Sequence, residues 1–256
     1  MLLCTVRDCR QPLSHEDRRY LCPRGHSFDI ARSGYVNLLQ PQDRRSRQPG
    51  DTADAIAGRR RLHESGVTAP LVRKIADAIS AKPDDILLDA GCGEGSILGA
   101  LHAESGCSGH GVDISIPAID AAARRYPECH WIVANADRFL PFGDAVFSIV
   151  VSITARLNAP EFRRVLRKGG RLLIALPAPD DLIELRWAGH DRTPRAIEEL
   201  TPTFTLVDQH RATTTADLDA AAVQDVLHSI YRPKRAQPVE AMRLTFSLDL
   251  LLFTAD

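Results

Sequence analysis

The sequence predicts an α/β protein: a mostly parallel sheet covered by helices on both faces, preceded by a small cysteine-bearing module. Three observations carry this reading. From Pro70 onward, strand-like apolar runs alternate with helical periodicity. The run Ile86-Leu87-Leu88 leads through Asp89 into a glycine-rich turn, as a β-α-β unit begins. Three of the six cysteines, Cys4, Cys9 and Cys22, fall at the start of the chain, away from that alternation. A chain of 256 residues accommodates one large domain with its own core and a small appended module.

Taken in order, residues 1–39 form the expected module, with Phe28, Tyr35, Val36, Leu38 and Leu39 as its modest core. Residues 40–69 read as a basic linker, because Pro41, Pro49 and Gly50 interrupt any regular pattern around QPQDRRSRQPGD and GRRR. The main domain, 70–256, opens on an amphipathic stretch marked by Leu71, Ile75, Ala78 and Ile79. After the strand at Ile86, further strands are expected at 110–113, 130–134, 146–152 and 171–176. Helices are expected at 95–104, 116–126, 159–167 and 180–188. The C-terminal part changes character, with strands at 204–210 and 244–253 flanking an alanine-rich helix around 217–228, which suits antiparallel strands closing a sheet edge.

The net charge of −1 hides an asymmetry: residues 1–75 carry 14 Lys and Arg against 8 Asp and Glu. A basic front suits a nucleic-acid footprint, and a solvated basic surface has the same composition. No apolar run reaches the length that crosses a bilayer and the start lacks a secretory pattern, so a cytoplasmic location is expected. In that setting, cysteines serve as metal ligands or buried thiols rather than disulfides.

Cys4, Cys9, Cys22 and His26 supply three thiolates and an imidazole, a set that suits a structural tetrahedral Zn²⁺ with no position left open for chemistry. His15 is a competing ligand, and a surface thiol at Cys4 or Cys9 is the competing reading of those residues. A segment of this size buries little apolar surface, so metal would supply folding free energy that its core lacks.

In LLDAGCGEGSIL, Gly91, Gly93 and Gly95 fall where the backbone turns tightly and lies close to a ligand. Asp113, in GVDIS, stands at the carboxyl end of the next strand, placed to accept hydrogen bonds from both ribose hydroxyls. Asp89 and Asp113 also read as caps of the turn and helix that follow them.

The ordered set of Asp89, the glycine loop, Asp113, NADRFLPF at 135–142 and RVLRKGGRLLI at 164–174 resembles the class I S-adenosylmethionine-dependent methyltransferases. The resemblance implies a Rossmann-like sheet. It also implies that Gly91, Gly93 and Glu94 lie along the amino-acid part of S-adenosyl-L-methionine, with Asp113 on the ribose and Asn135 near the adenine. With CPRGHSFDIARSGYVNLL and RSRQPGD added, essentially the whole chain resembles the ribosomal RNA large-subunit guanine-N1 methyltransferases. That likeness implies a zinc-ribbon-like module, a ribosomal RNA hairpin as substrate and a homodimer.

It further implies cofactor contacts at Thr68, where the family usually has tyrosine, and at Asp181, where it usually has histidine. Arg44, Arg45, Arg47, Arg59, Arg60 and Arg61 become candidate phosphate contacts. The chain departs from the family at Cys4–Cys9, with four intervening residues instead of two, at Arg156 in SITARLN, and in YRPKR at 231–235. No residue announces itself as the acceptor of the guanine N1 proton; Asp181 and the 152–158 loop are nearest by motif position.

Overall fold

The computed structural model describes residues 1–43, 49–230 and 239–256. Three short strands open it, β1 (Ser14–Glu16), β2 (Arg19–Leu21) and β3 (Ser27–Asp29), paired antiparallel in that order. Strands this short bury almost nothing by themselves. The module compensates by joining the main domain: β4 (Val36–Asn37) adds a parallel edge strand beside β7 (His130–Val133). Phe28, Leu38 and the three cysteines of the module then belong to the same apolar cluster as Val112, Phe142 and Phe147.

The expected linker is partly a helix. Within it, α1 (Ala53–Glu64) starts at Thr52, whose hydroxyl accepts from the Ala55 amide at 3.2 Å. Arginine favours helix, so GRRR continues the element rather than breaking it. Gly58 lets α7 (Ala220–Ser229) approach: a Cβ there would lie 3.0 Å from the Asp225 carbonyl oxygen. Arg61 then clamps Asp225 through Nε and Nη2 at 2.8 and 2.5 Å.

Helix α2 (Ala69–Ile79) buries Leu71, Ile75 and Ile79, the stripe its periodicity predicts. The alternation that follows is β5 (Ile86–Ala90), α3 (Ser96–Ser105), β6 (Ser108–Asp113), α4 (Ile116–Arg125), β7, β8 (Phe147–Ile153), α5 (Ala159–Val165) and β9 (Leu166–Pro177). Then come α6 (Thr193–Leu200), β10 (Phe204–Leu218), α7 and β11 (Met242–Ala255).

The sheet order is β10-β11-β9-β8-β5-β6-β7-β4. Neighbours from β9 to β4 run parallel, whereas β11 and β10 are antiparallel, as the change of character after β9 predicts. Leu87, Leu88, Ile149, Val150, Val151, Leu172, Leu173 and Ile174 are all fully buried, the mark of parallel strands covered on both faces. From β5 the chain winds outward through β6 and β7, then returns to lay β8 on the other side of β5. Ligands of such sheets bind beyond the carboxyl ends of the strands at this reversal.

The helix expected at 180–188 is a series of turns instead. Leu182 takes φ 53°, left-handed backbone that ends any helix, and its amide donates to the Thr245 carbonyl of β11 at 2.7 Å. The helix of this region is α6, opened by Pro194 in its first turn after Asp191 caps the Thr193 amide at 2.9 Å.

Candidate active site and metal centre

At the carboxyl end of β5 the backbone turns through Gly91 (φ 90°), Gly93 (φ 55°) and Gly95 (φ 80°). The Gly91 and Cys92 amides donate to the Val112 carbonyl at 2.8 and 3.1 Å, lashing the loop to β6. A Cβ on Gly95 would lie 2.4 Å from the Trp131 ring, and one on Gly91 would lie 2.5 Å from Ala155 of the 152–158 loop. Gly95→Ala is expected to cost roughly 2–4 kcal/mol, from left-handed strain together with overpacking. A lower urea midpoint at unchanged m-value checks it.

Asp113 ends β6 with both oxygens anchored: Oδ2 accepts from the Gly93 amide at 3.0 Å and Oδ1 from Ser115 N at 2.8 Å. Each carboxylate oxygen keeps a further lone pair for a ribose hydroxyl. Asp113 thus holds the glycine loop to the end of β6. The helix-capping role belongs to Ser115, whose hydroxyl accepts from the Ala118 amide.

Three acids crowd this turn. Burial pushes Asp113 and Glu94 above the ordinary carboxylate range. Asp89 is pushed up to about 8, by burial and then by repulsion from Asp113 and Glu94. Its Oδ1 is fully enclosed and has no hydrogen-bond partner among the described residues. Enclosed carboxylates with an unmet acceptor fit a cationic ligand, and S-adenosylmethionine presents an ammonium and a sulfonium.

A carboxyl raised on folding from 3.8 to about 8 holds a proton that the unfolded chain releases. Its contribution to stability is therefore present below about pH 4 and is lost as pH rises toward about 8. A cation beside Asp89 favours the ionised form. Affinity for S-adenosylhomocysteine, which carries the same ammonium, is thus expected to rise from about pH 6 to about pH 8. Titration calorimetry across that range checks it, and Asp89→Asn should flatten the profile.

Glu94 accepts from Ser96 Oγ at 2.6 Å and lies 3.9 Å from His63 Nε2 of α1. Burial, followed by Arg59 and Arg125, lowers His63 to about 4, so its ring is neutral. Thr68 Oγ1 pairs with His63 Nδ1 at 2.5 Å, which puts Thr68 one residue behind the cradle. Asn135 directs its amide nitrogen to the Asp43 carbonyl at 2.9 Å and its oxygen to Asp137 N at 3.1 Å.

Asp181 is turned toward β11, where Oδ1 accepts from Ser247 N at 2.9 Å and Oδ2 pairs with Arg186 at 2.5 Å. The fold gathers the glycine loop, Asp113 and Glu94 at the carboxyl ends of β5 and β6. Arg156 is exposed and lies 3.5 Å from Asp137.

In the module, the ligand atoms of Cys4, Cys9, Cys22 and His26 all lie within 4.8 Å of one another. The imidazole Nδ1 is 3.3 Å from both Cys4 Sγ and Cys22 Sγ, and Cys9 and Cys22 are 3.9 Å apart. A tetrahedron with zinc–sulfur bonds of about 2.3 Å has sulfur–sulfur edges of about 3.8 Å, so the set fits Zn²⁺. The long Cys4–Cys9 spacing closes through a turn in which Asp8 adopts left-handed backbone (φ 59°) and the Cys9 amide donates to the Val6 carbonyl at 3.0 Å. His15 lies on exposed β1, its ring 5.1 Å from Tyr20, outside this cluster.

The arginines expected to meet phosphate have separate fates. Arg60 lies 3.7 Å from Glu64, Arg61 is held by Asp225, and Arg59 turns inward to the glycine loop. Arg44, Arg45, Arg47 and YRPKR at 231–235 lie outside the described residues. A further arginine-bearing surface is present: Arg7, Arg10 and Arg138, with Asp8 and Asp43, line a cavity of about 700 Å³ between the metal knuckle and the Asn135–Phe139 turn, Arg138 lying 3.0 Å from Asp43. Arg10 and Arg164 lie over the Phe139 ring, 4.7 and 5.0 Å from its centre.

Sequence reasoning missed the unmet Asp89 oxygen and the inward face of α1. The four-residue spacing of Arg59 and His63, one helical face, was the available signal.

Comparison with known proteins agrees with this geometry. A zinc-ribbon family model described as "RlmA, N-terminal" matches residues 3–47, and a model described as "Methyltransferase domain" matches residues 87–174. The chain is 38% identical over 231 residues to the 23S rRNA (guanine(748)-N(1))-methyltransferase of Streptomyces fradiae, covering 86% of this chain and 81% of the relative. In fold it is similar to a chain of the complex containing the Haloferax volcanii Trm112 methyltransferase activator (TM-score 0.55, 20% identity, 80% of this chain and 98% of that one). It is also similar to a Thiobacillus denitrificans methyltransferase structure in complex with S-adenosyl-L-homocysteine (TM-score 0.50, 14% identity, 72% and 90% covered).

Proposed function

The chain belongs to the 23S rRNA guanine-N1 methyltransferase family, and from that premise we propose that it transfers a methyl group from S-adenosylmethionine to N1 of a guanine in large-subunit ribosomal RNA. The observation that carries the proposal is the meeting of two parts of one chain. The metal knuckle of the module and the turn after β7 line one arginine-bearing cavity, beside the strands whose carboxyl ends hold the acidic cradle.

When bound, the cofactor supplies an electrophilic methyl group on its sulfonium. The side chains around it would hold and orient it: Asp113 would take the ribose, and Asp89 and Glu94 would receive the positive amino-acid end. The close packing of Gly91 against Ala155 joins the cradle to the 152–158 loop. Orientation of this kind supplies on the order of 7–11 kcal/mol at best.

Guanine N1 loses a proton as it is methylated, and negative charge develops on the ring. We assign the stabilisation of that charge to Arg156, exposed on the 152–158 loop and 3.5 Å from Asp137. Arg7 and Arg10 bind phosphates of an RNA hairpin, with binding that weakens as salt rises. Among the described residues, no helix is long and apolar enough to cross a membrane. The reading further places the enzyme in the cytoplasm as a homodimer, the latter checked by sedimentation of the full chain.

The deciding experiment incubates the protein with labelled S-adenosylmethionine and 23S ribosomal RNA lacking N1 methyl marks, then maps reverse-transcription stops. One strong stop at a guanine is expected. Confirmed cofactor binding without incorporation into any RNA would overturn the proposal.

A further inference from the structure

Helix α1 brings a cation into a turn otherwise lined by acids. Arg59 Nη2 pairs with Asp51 Oδ2 at 2.5 Å, while Nη1 lies 3.5 Å from where a Cβ on Gly93 would stand. Its Nε is fully enclosed and has no hydrogen-bond partner among the described residues. Arg59 acts electrostatically on both Asp113 and Glu94; Arg125 reaches Glu94 and is itself bound by Glu64.

This placement is built rather than incidental. Thr52 caps α1 and Gly58 seats it on α7, which sets the face that Arg59 and His63 share. Gly50 (φ 90°) lies so close to Ser115 that a Cβ would come within 2.5 Å of the serine Cβ, pinning Asp51 at the carboxyl end of β6, opposite the guanidinium.

A ligand with an amino-acid end carries both an ammonium and a carboxylate. Asp89 and Glu94 suit the ammonium and repel the carboxylate. Among the described residues, Arg59 is an inward-facing donor at the glycine loop with an unmet N–H, and a planar guanidinium matches a carboxylate.

We infer that Arg59 binds the α-carboxylate of S-adenosylmethionine, with Asp51 holding the guanidinium in position. The inference rests on the cofactor reading given above and adds a residue that charge composition assigned to RNA.

The test is titration calorimetry on the full chain with S-adenosylhomocysteine and with decarboxylated S-adenosylhomocysteine, which keeps the adenosine, the thioether and the amine. The wild type is expected to lose about 10- to 100-fold in affinity when the carboxylate is removed. Arg59→Gln is expected to lose a similar factor on S-adenosylhomocysteine and to bind the two ligands alike, with Arg59→Lys intermediate. The wild-type comparison needs no variant, so a folding defect in Arg59→Gln leaves the prediction exposed.

Equal wild-type affinity for the two ligands would overturn the inference. So would unchanged or tighter binding of S-adenosylhomocysteine by Arg59→Gln, the sign expected if the guanidinium were only a counter-ion that the cofactor displaces. Failure of the wild type to bind S-adenosylhomocysteine at all would overturn the cofactor reading along with the inference. Normal binding with no methylation of RNA would overturn the substrate proposal alone.

Discussion

Asp113→Ala is expected to weaken S-adenosylhomocysteine binding by roughly 10²- to 10⁴-fold, the consequence of losing two charge-assisted hydrogen bonds to a ribose at about 1.5–3 kcal/mol each. The carboxylate also anchors the Gly93 and Ser115 amides, so the loop that lies along the ligand loosens in the same variant. Stability moves less than affinity. Burial already works against the ionised form of Asp113, and its removal relieves repulsion on Asp89. Calorimetric titration beside a thermal melt separates the two effects, and Asp113→Asn should fall between. An affinity within about threefold of wild type would remove Asp113 from the ribose site.

Loss of the metal carries the second large effect. The full chain is expected to contain one zinc, and Cys22→Ala to contain close to none. Structural zinc contributes on the order of 10–16 kcal/mol to folding in small zinc-binding peptides. Here the module is continuous with the main core through β4 and through the cluster containing Phe142 and Phe147. Chelation should therefore unfold residues 1–39 and lower the main melting transition by about 10 °C or more. Hydrogen exchange is expected to rise first in β1 to β4 and last in β5 and β8. His15→Ala serves as control and should keep its zinc, since His15 lies outside the cluster. Retention of one zinc by Cys22→Ala would remove Cys22 from the ligand set.

By itself the sequence determined what depends on neighbours along the chain. The alternation of apolar strands and amphipathic helices, the glycine turn after Asp89, Asp113 at the next strand end and the Cys and His set are all local signals, and the fold keeps them. Their physical basis is short-ranged: backbone propensity, φ at glycine, and ligand type. The structure alone decided where side chains separated in sequence meet. Asp89 looked like a turn cap and became an enclosed acceptor because Asp113 and Glu94 close around it.

GRRR looked like a phosphate-binding linker. Docking of α1 on α7 sent Arg61 to Asp225 and Arg59 to the glycine loop, a division that charge composition does not encode. Asp181 matched a motif position, and only the fold showed that left-handed Leu182 and a hydrogen bond from Ser247 fasten it to β11. Leu182 and β11 are 60 residues and more apart in sequence. Helix faces, strand partners and burial arise only when such distant segments pack, so a side chain's destination became readable only in three dimensions.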